Sequence, residues 1–197
     1  MTAPRAQYHH GDLRAHHIET VRLLVEEKGA DGISISEAAR RAGVSSAAPY
    51  KHFHYRIEIV RAVALAEIDR MRDQMDEGAL ASRGTRRGPI TALGTQYSTF
   101  ARTEPGVFRL MFGLTTGHEE DAEIKARGDA CADVVRREVR LVMPDGTPEQ
   151  EIARRAHMLH MFVHGHAFLE IDGKNELDLT PDQEHALMVD IAERIMA

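Results

Sequence analysis

Residues 34–54 read SISEAARRAGVSSAAPYKHFH, and this stretch decides the fold. It describes two short helices joined by a tight turn. Ser34 and Glu37 stand at the S-x-x-E spacing of a capping box, in which side chains satisfy the free backbone donors at a helix start. Ala38, Ala39 and Ala42 give that helix a face of small residues, so another helix can approach closely. Gly43 suits the left-handed conformation that ends a helix. Val44 can plug the angle between the two helices, and Ser45 can cap the second. The second helix is one that a protein core has no use for. Ser46, Ala47, Ala48, Tyr50, Lys51 and His52 are small or polar, ending in aromatic and basic groups. A small hydrogen-bonding tip and a cationic, aromatic end match the DNA major groove and its phosphates. Pro49 falls in the first turn after Ser45, where the helix tolerates it.

Outward from this pair the whole chain reads as helical, because no stretch alternates apolar and polar residues long enough to propose a sheet. Upstream, Ile18, Val21, Leu24 and Val25 recur at helical spacing in a first helix, capped by Asp12 and ended at Lys28-Gly29. Downstream, a fourth helix runs from near Ile57 to about Gly78, and ALASRGTRRGP (79–89) reads as a linker. A fifth helix covers about Ile90 to Arg102, and a sixth starts at Pro105 and ends at Gly113. TTGHEE is a turn, and a seventh helix over 119–142 stops at Pro144, Asp145 and Gly146. An eighth runs from Pro148 to about Ile171, and a ninth from Pro181 to Met196. The expected architecture is all-α, with a helix-turn-helix head of three helices over residues 1–56 and a helical body over 57–197.

The eighth helix differs from the rest. Its second half, MLHMFVHGHAFLEI, is apolar on every side, and such a helix must be covered all round. The ninth is amphipathic through Leu187, Met188, Ile191 and Ile195. Paired with their copies in a second subunit, these two helices form a four-helix interface. The alternative is that the eighth is the central helix of a monomer. A helix-turn-helix reader gains affinity from two half-sites one duplex turn apart, which favours the homodimer and a palindromic operator.

Composition narrows the class further. Of 197 residues, 43% are hydrophobic and 28% charged, as in ordinary soluble proteins. No apolar run approaches the roughly 20 residues that span a bilayer, and MTAPRAQYHHGDL lacks the apolar stretch of a secretory leader. The single cysteine, Cys131, excludes an internal disulfide framework. These features together lead us to expect a cytoplasmic protein. The net charge of −6 argues against a protein that coats nucleic acid with its whole surface. Residues 1–61 nevertheless hold nine Lys and Arg against seven Asp and Glu, and residues 62–197 hold sixteen against twenty-four. An N-terminal module that meets phosphate, joined to an acidic remainder, has this asymmetry.

The segment AARRAGVSSAAPYKHF (38–53) resembles the TetR (tetracycline-repressor-like) family of bacterial transcriptional regulators, and the likeness covers roughly residues 8–65. The preceding YHHGDLR resembles the approach to the head in one subgroup. FRLMFG (108–113) and FVHGHAFLE (162–170) resemble the body of a subgroup that carries a Trp near a His-Gly pair; this chain has no Trp, and His160 stands about where it is expected. HYR at 54–56 also departs from the usual acidic residue followed by Lys, although Arg56 keeps the positive charge. The resemblance implies a three-helix head that binds DNA and a body that dimerises and binds a small ligand. The ligand weakens DNA binding, so repression is the expected mode.

On that basis Ser46, Ala47, Ala48 and Lys51 are assigned to base edges: Ala meets a thymine methyl, Ser either groove partner and Lys guanine acceptors. The two alanines also read as simple helix formers. Ser45, Tyr50, His52 and Arg56 are assigned to phosphates, Tyr50 and His52 because they resemble the family's phosphate pair. Phe53 reads as core. Arg5, Tyr8, His9 and His10 form either an arm along the duplex or a non-contacting tail.

In the body, an apolar pocket is expected among the fifth to eighth helices. Its candidate lining residues are Tyr97, Phe100, Phe108, Met111, Phe112, Met158, Phe162 and His166, although Met and aromatics at helical spacing are also ordinary core. His157, His160 and His164 share one face of the eighth helix at i, i+3 and i+7. That face reads as packing and interface hydrogen bonding, as a ligand-orienting group, or as a zinc or nickel site. Cys131 reads as structural, with redox sensing as its alternative. DGKNELD (172–178) lacks calcium-loop spacing. No nucleophile–base set, H-E-x-x-H or glycine-rich phosphate loop is present, so neither an enzyme nor a cofactor is expected. A metal- or redox-responsive regulator and a DNA-binding protein without ligand are the alternatives. Tyr50→Ala is expected to weaken binding to every duplex in a gel-shift titration. Lys51→Ala should shift preference at one base pair by about 1–3 kcal/mol.

Overall fold

The computed structural model describes residues 10–45, 53, 55–114 and 121–197. Among them are eight α-helices and no strand. In chain order they are α1 (His10–Lys28), α2 (Ile35–Arg41), α3 (Arg56–Ala81), α4 (Gly88–Thr103), α5 (Pro105–Gly113), α6 (Ala122–Val142), α7 (Glu149–Ile171) and α8 (Pro181–Ile195), with a short 3-10 turn at Ala30–Gly32. The all-α architecture is the expected one. The third of the nine expected helices, at the end of the 34–54 stretch, falls largely outside the described residues.

Local chemistry explains most boundaries. Ser34 caps α2 by accepting the Glu37 N–H at 3.1 Å. The other half of the capping box is not made, because the Glu37 carboxylate turns to Lys28 at the end of α1. Gly43 ends α2 at φ 68°. Its N–H bonds to Arg40 O and the Val44 N–H to Ala39 O, the paired bonds of a Schellman motif. Asp12 lies inside α1 rather than ahead of it. α3 extends past Gly78 to Ala81, which shortens the expected linker. α6 begins later than expected, at Ala122, where the Asp121 side chain accepts from the Glu123 and Ile124 N–H groups. Thr180 and Gln183 close a full capping box on α8.

α3 is the axis of the fold. It packs on α1 at the head and on α4, α5 and α6 in the body. Ile59, Val63, Ile68, Met71 and Met75 are buried along it, so one continuous apolar core runs from head to body. α4 lies across α3 and carries α7 and α8 on its other side. The buried face of α7 is Leu159, Val163 and Ala167 at four-residue spacing. Met161 and Leu169 on its opposite face, and Val189 on α8, remain 53%, 49% and 40% exposed. Among the described residues, no helix is long and apolar enough to cross a membrane.

The N-terminus of α5 sits directly on the backbone of α1. A Cβ at Gly106 would meet Val25 O at 2.7 Å and Glu26 Cα at 2.9 Å, so only glycine allows the approach. Glu26 completes the joint by accepting the Val107 N–H at 3.0 Å. A carboxylate at a helix N-terminus satisfies an orphan donor and complements the helix dipole. Gly106→Ala is therefore expected to destabilise the protein by about 1–3 kcal/mol, read as a lowered denaturation midpoint. An unchanged midpoint would mean that α5 can move off α1 at no cost.

Candidate functional site

Two regions carry candidate chemistry, one at each end of α3. At the head, Ser45 is exposed, and Ser46, Ala47, Ala48, Tyr50, Lys51 and His52 lie outside the described residues. Arg56 is exposed at the first turn of α3, with Nη1 donating to Ala30 O at 2.5 Å and Nη2 in an ion pair with Asp31 Oδ1 at 3.7 Å. That bond aims its guanidinium at the 3-10 turn. Phe53 is buried, with the Arg14 guanidinium over its ring at 5.5 Å.

In the body, α3, α4, α5, α6 and α7 enclose a cavity of about 720 Å³. Its size suits a drug-sized ligand. α3 contributes Ile68, Met71 and Met75, and α4 contributes Leu93, Gly94 and Tyr97. Met111 and Phe112 come from α5. The α6 wall includes Gly128, Cys131, Ala132 and Arg136, and the α7 wall Ala153, His157, His160 and Val163. Of the expected lining residues, Tyr97, Met111 and Phe112 face this space. Phe100 is buried under the Arg70 guanidinium, 4.5 Å from its ring. Phe108 is fully buried in an aromatic cluster, 5.4 Å from Tyr97 and 4.8 Å from Phe112. The Met158 sulfur is 3.3 Å from Arg154 Nη1. Phe162 and His166 stack on each other at 6.0 Å, and His166 points to Glu184 on α8.

No residue of α6, the expected seventh helix, was among the expected lining, and α3 was not expected there at all. A signal for α6 was present in Gly128 and Ala132, one helical turn apart, because small side chains leave room between packed helices. The Met71–Met75 pair on α3 has the same spacing.

The polar part of the wall comes from α4, α6 and α7. Tyr97 Oη and His164 Nδ1 share a hydrogen bond of 2.8 Å, and burial raises the Tyr97 pKa so that the phenol stays protonated. The His160 and His164 rings stack at 5.3 Å. Burial lowers both imidazole pKa values, with a further push from His157 on His160 and from His160 on His164. Burial pushes the Cys131 thiol up to about 11, so it stands as a thiol and lacks the thiolate that redox sensing uses.

Among the described residues, His157, His160 and His164 do not bring three ligand atoms together. The group that does is His166, Glu170 and Glu184, whose ligand atoms lie within 4.8 Å of one another. Arg102 is paired with both carboxylates there, and a guanidinium already supplies the positive charge.

Ion pairs tie α3 to its neighbours on both sides. Glu104, between α4 and α5, is shared by Arg22 of α1 and Arg70 of α3. Arg61 of α3 grips Asp121 at the start of α6 through two bonds of 2.6 and 2.9 Å, and reaches Glu123 at 2.8 Å. The Arg61 guanidinium and the first N–H groups of α6 hold the Asp121 carboxyl well below the usual carboxylate range.

A family model described as "Tetracyclin repressor-like, C-terminal domain" matches residues 90–192. Similar solved structures cover nearly the whole chain. A protein of unknown function from Rhodococcus sp. RHA1 is 25% identical with a TM-score of 0.82, over 98% of this chain and 100% of its own. A TetR transcriptional regulator from Rhodococcus sp. RHA1 is 18% identical, TM-score 0.61, over 96% and 98%. A protein from Mesorhizobium loti MAFF303099 assigned to the TetR family is 14% identical, TM-score 0.75, over 96% and 97%. At the two lower identities the likeness is one of fold. No curated protein matches the chain in sequence.

The histidine pair gives a pH dependence with a definite sign. An imidazole whose folded pKa lies below its unfolded value binds its proton more readily in the unfolded chain. Stability is then full above the unfolded value of about 6.5 and falls as pH drops through it. The groups facing the pair include Tyr97 of α4, Phe108 and Phe112 of α5, and His157 and Phe168 on α7 itself. Melting temperature is expected to fall from pH 7.5 towards pH 5, and His160→Gln combined with His164→Gln to flatten that fall. Equal slopes in both proteins would show that the imidazoles titrate as they do in the unfolded chain.

Proposed function

Because the chain belongs to the tetracycline-repressor-like family, we propose that it is a homodimeric repressor that reads a palindromic operator and releases it when a small apolar ligand enters the body. The observation that carries this reading is the way the cavity is joined to the head. Met111 and Phe112 line the cavity on α5, and the same helix rests on the α1 backbone through Gly106. A ligand that displaces α5 shifts α1, and α3, which packs on both, moves with them. Such a ligand must bind one arrangement of the body better than the other.

In this reading Ser46, Ala47, Ala48 and Lys51 meet base edges, and Ser45, Tyr50, His52 and Arg56 meet phosphates. Arg56 would exchange its bond to Ala30 O for a phosphate oxygen. The dimer forms through α7 and α8. Support comes from Met161, Leu169 and Val189, which leave apolar surface exposed on α7 and α8, and from Gly165, exposed on the same stretch of α7. Exposed apolar residues grouped on adjacent helices mark an association surface.

Footprinting tests the reading directly, with protection expected over one short palindrome. Protection of all sequences alike would indicate a nucleoid-type protein, and no protection would remove the DNA-binding role. Met161→Glu with Leu169→Glu is expected to convert a dimer to a folded monomer in light scattering, and to weaken operator binding at least tenfold. A dimer that persists would place the interface elsewhere.

A further inference from the structure

We infer that the cavity takes an amphiphile with an anionic head, its apolar part lying among α3, α4 and α5 and its acidic group at the α6–α7 seam against Arg136 and His157. The inference rests on reading the cavity as the ligand site, and specifies the ligand's chemistry. The inner wall offers Ile68, Met71, Met75 and Leu93, which present no polar atom except thioether sulfur. The polar groups are the Tyr97 hydroxyl, the His157 and His160 imidazoles, the Cys131 thiol and the Arg136 guanidinium. No carboxylate lines the cavity among the described residues, in a chain with 31 acidic residues. A cationic ligand would bury its charge there without a partner, which is costly. An anionic one meets Arg136, the one full charge on the wall among the described residues.

Arg136 and His157 sit at the same end of that wall. α6 and α7 form a hairpin about Met143–Pro148, so the last turns of α6 lie level with the early turns of α7. Ala153, between α7's start and His157, is exposed, as is His157 itself. Small side chains at this level leave an opening rather than a sealed wall. Arg136 is ion-paired with Asp133 on its own helix at 3.1 Å, and that carboxylate is 72% exposed. An exposed pair of this kind contributes little, so the guanidinium can exchange Asp133 for a ligand carboxylate, which it can bind through two parallel hydrogen bonds.

Calorimetric titration of the full-length protein with decanoate, decanol and decyltrimethylammonium tests this. Decanoate is expected to bind about tenfold or more tightly than decanol, the difference a charge-assisted hydrogen bond makes, and the ammonium more weakly than either. Arg136→Gln with His157→Gln should bring decanoate to the affinity of decanol and leave decanol unchanged. Equal binding of decanoate and decanol by the wild type, or an unchanged ratio in the variant, overturns the anionic head while leaving the cavity as a ligand site. If none of the three binds, or if Ala132→Phe, which fills the cavity, binds them as the wild type does, the cavity is not the ligand site and both readings fall.

Discussion

The contact on which the molecule depends is the meeting of α5 with α1 at Gly106. Two backbones touch there, with no side chain between them to give way. Packed interiors are dense and transmit displacement rather than absorbing it. The joint is held on either side by polar bonds: Glu26 takes the Val107 N–H, and Glu104 is gripped by Arg22 and Arg70. Glu67 lies beside Arg70, and burial raises its pKa against the pull of that guanidinium. Charges held together in a part-buried setting favour one arrangement of the two helices. A shift of α5 therefore has to move the whole joint, and this makes the cavity wall and the head parts of one mechanical unit.

Much of this fold was legible because helix ends are written in local chemistry. Gly43, Ser34 and the breaks at Pro144–Gly146 act over a few residues, and the sequence states them directly. The capping box at Ser34 was half right for an equally physical reason. Glu37 has a choice between a nearby backbone N–H and an ammonium brought close by folding, and only the fold supplies Lys28. The start of α6 was misplaced for a related reason, since Asp121 takes both the helix cap and Arg61, sixty residues away in sequence.

The cavity was legible only in part. Tyr97, Met111 and Phe112 stand out as bulky residues at helical spacing, yet Phe100 and Phe108 look the same in sequence and are plain core. What separates them is which side of α4 and α5 meets α3, a long-range fact. Bulk was also a misleading guide. A space between helices is made by what is missing, and Gly128, Ala132, Ala153 and Ala156 shape it as much as the aromatics do.

Three of the side chains that bound the cavity are thioethers: Met71, Met75 and Met111. An unbranched chain with a polarisable sulfur changes rotamer at small cost and repacks around irregular shapes. A chamber walled this way is upholstered rather than moulded. In the proposed reading selectivity resides in the few polar groups of the wall, while the interior tolerates guests of differing outline, so chemically related compounds of several sizes would act on the same switch.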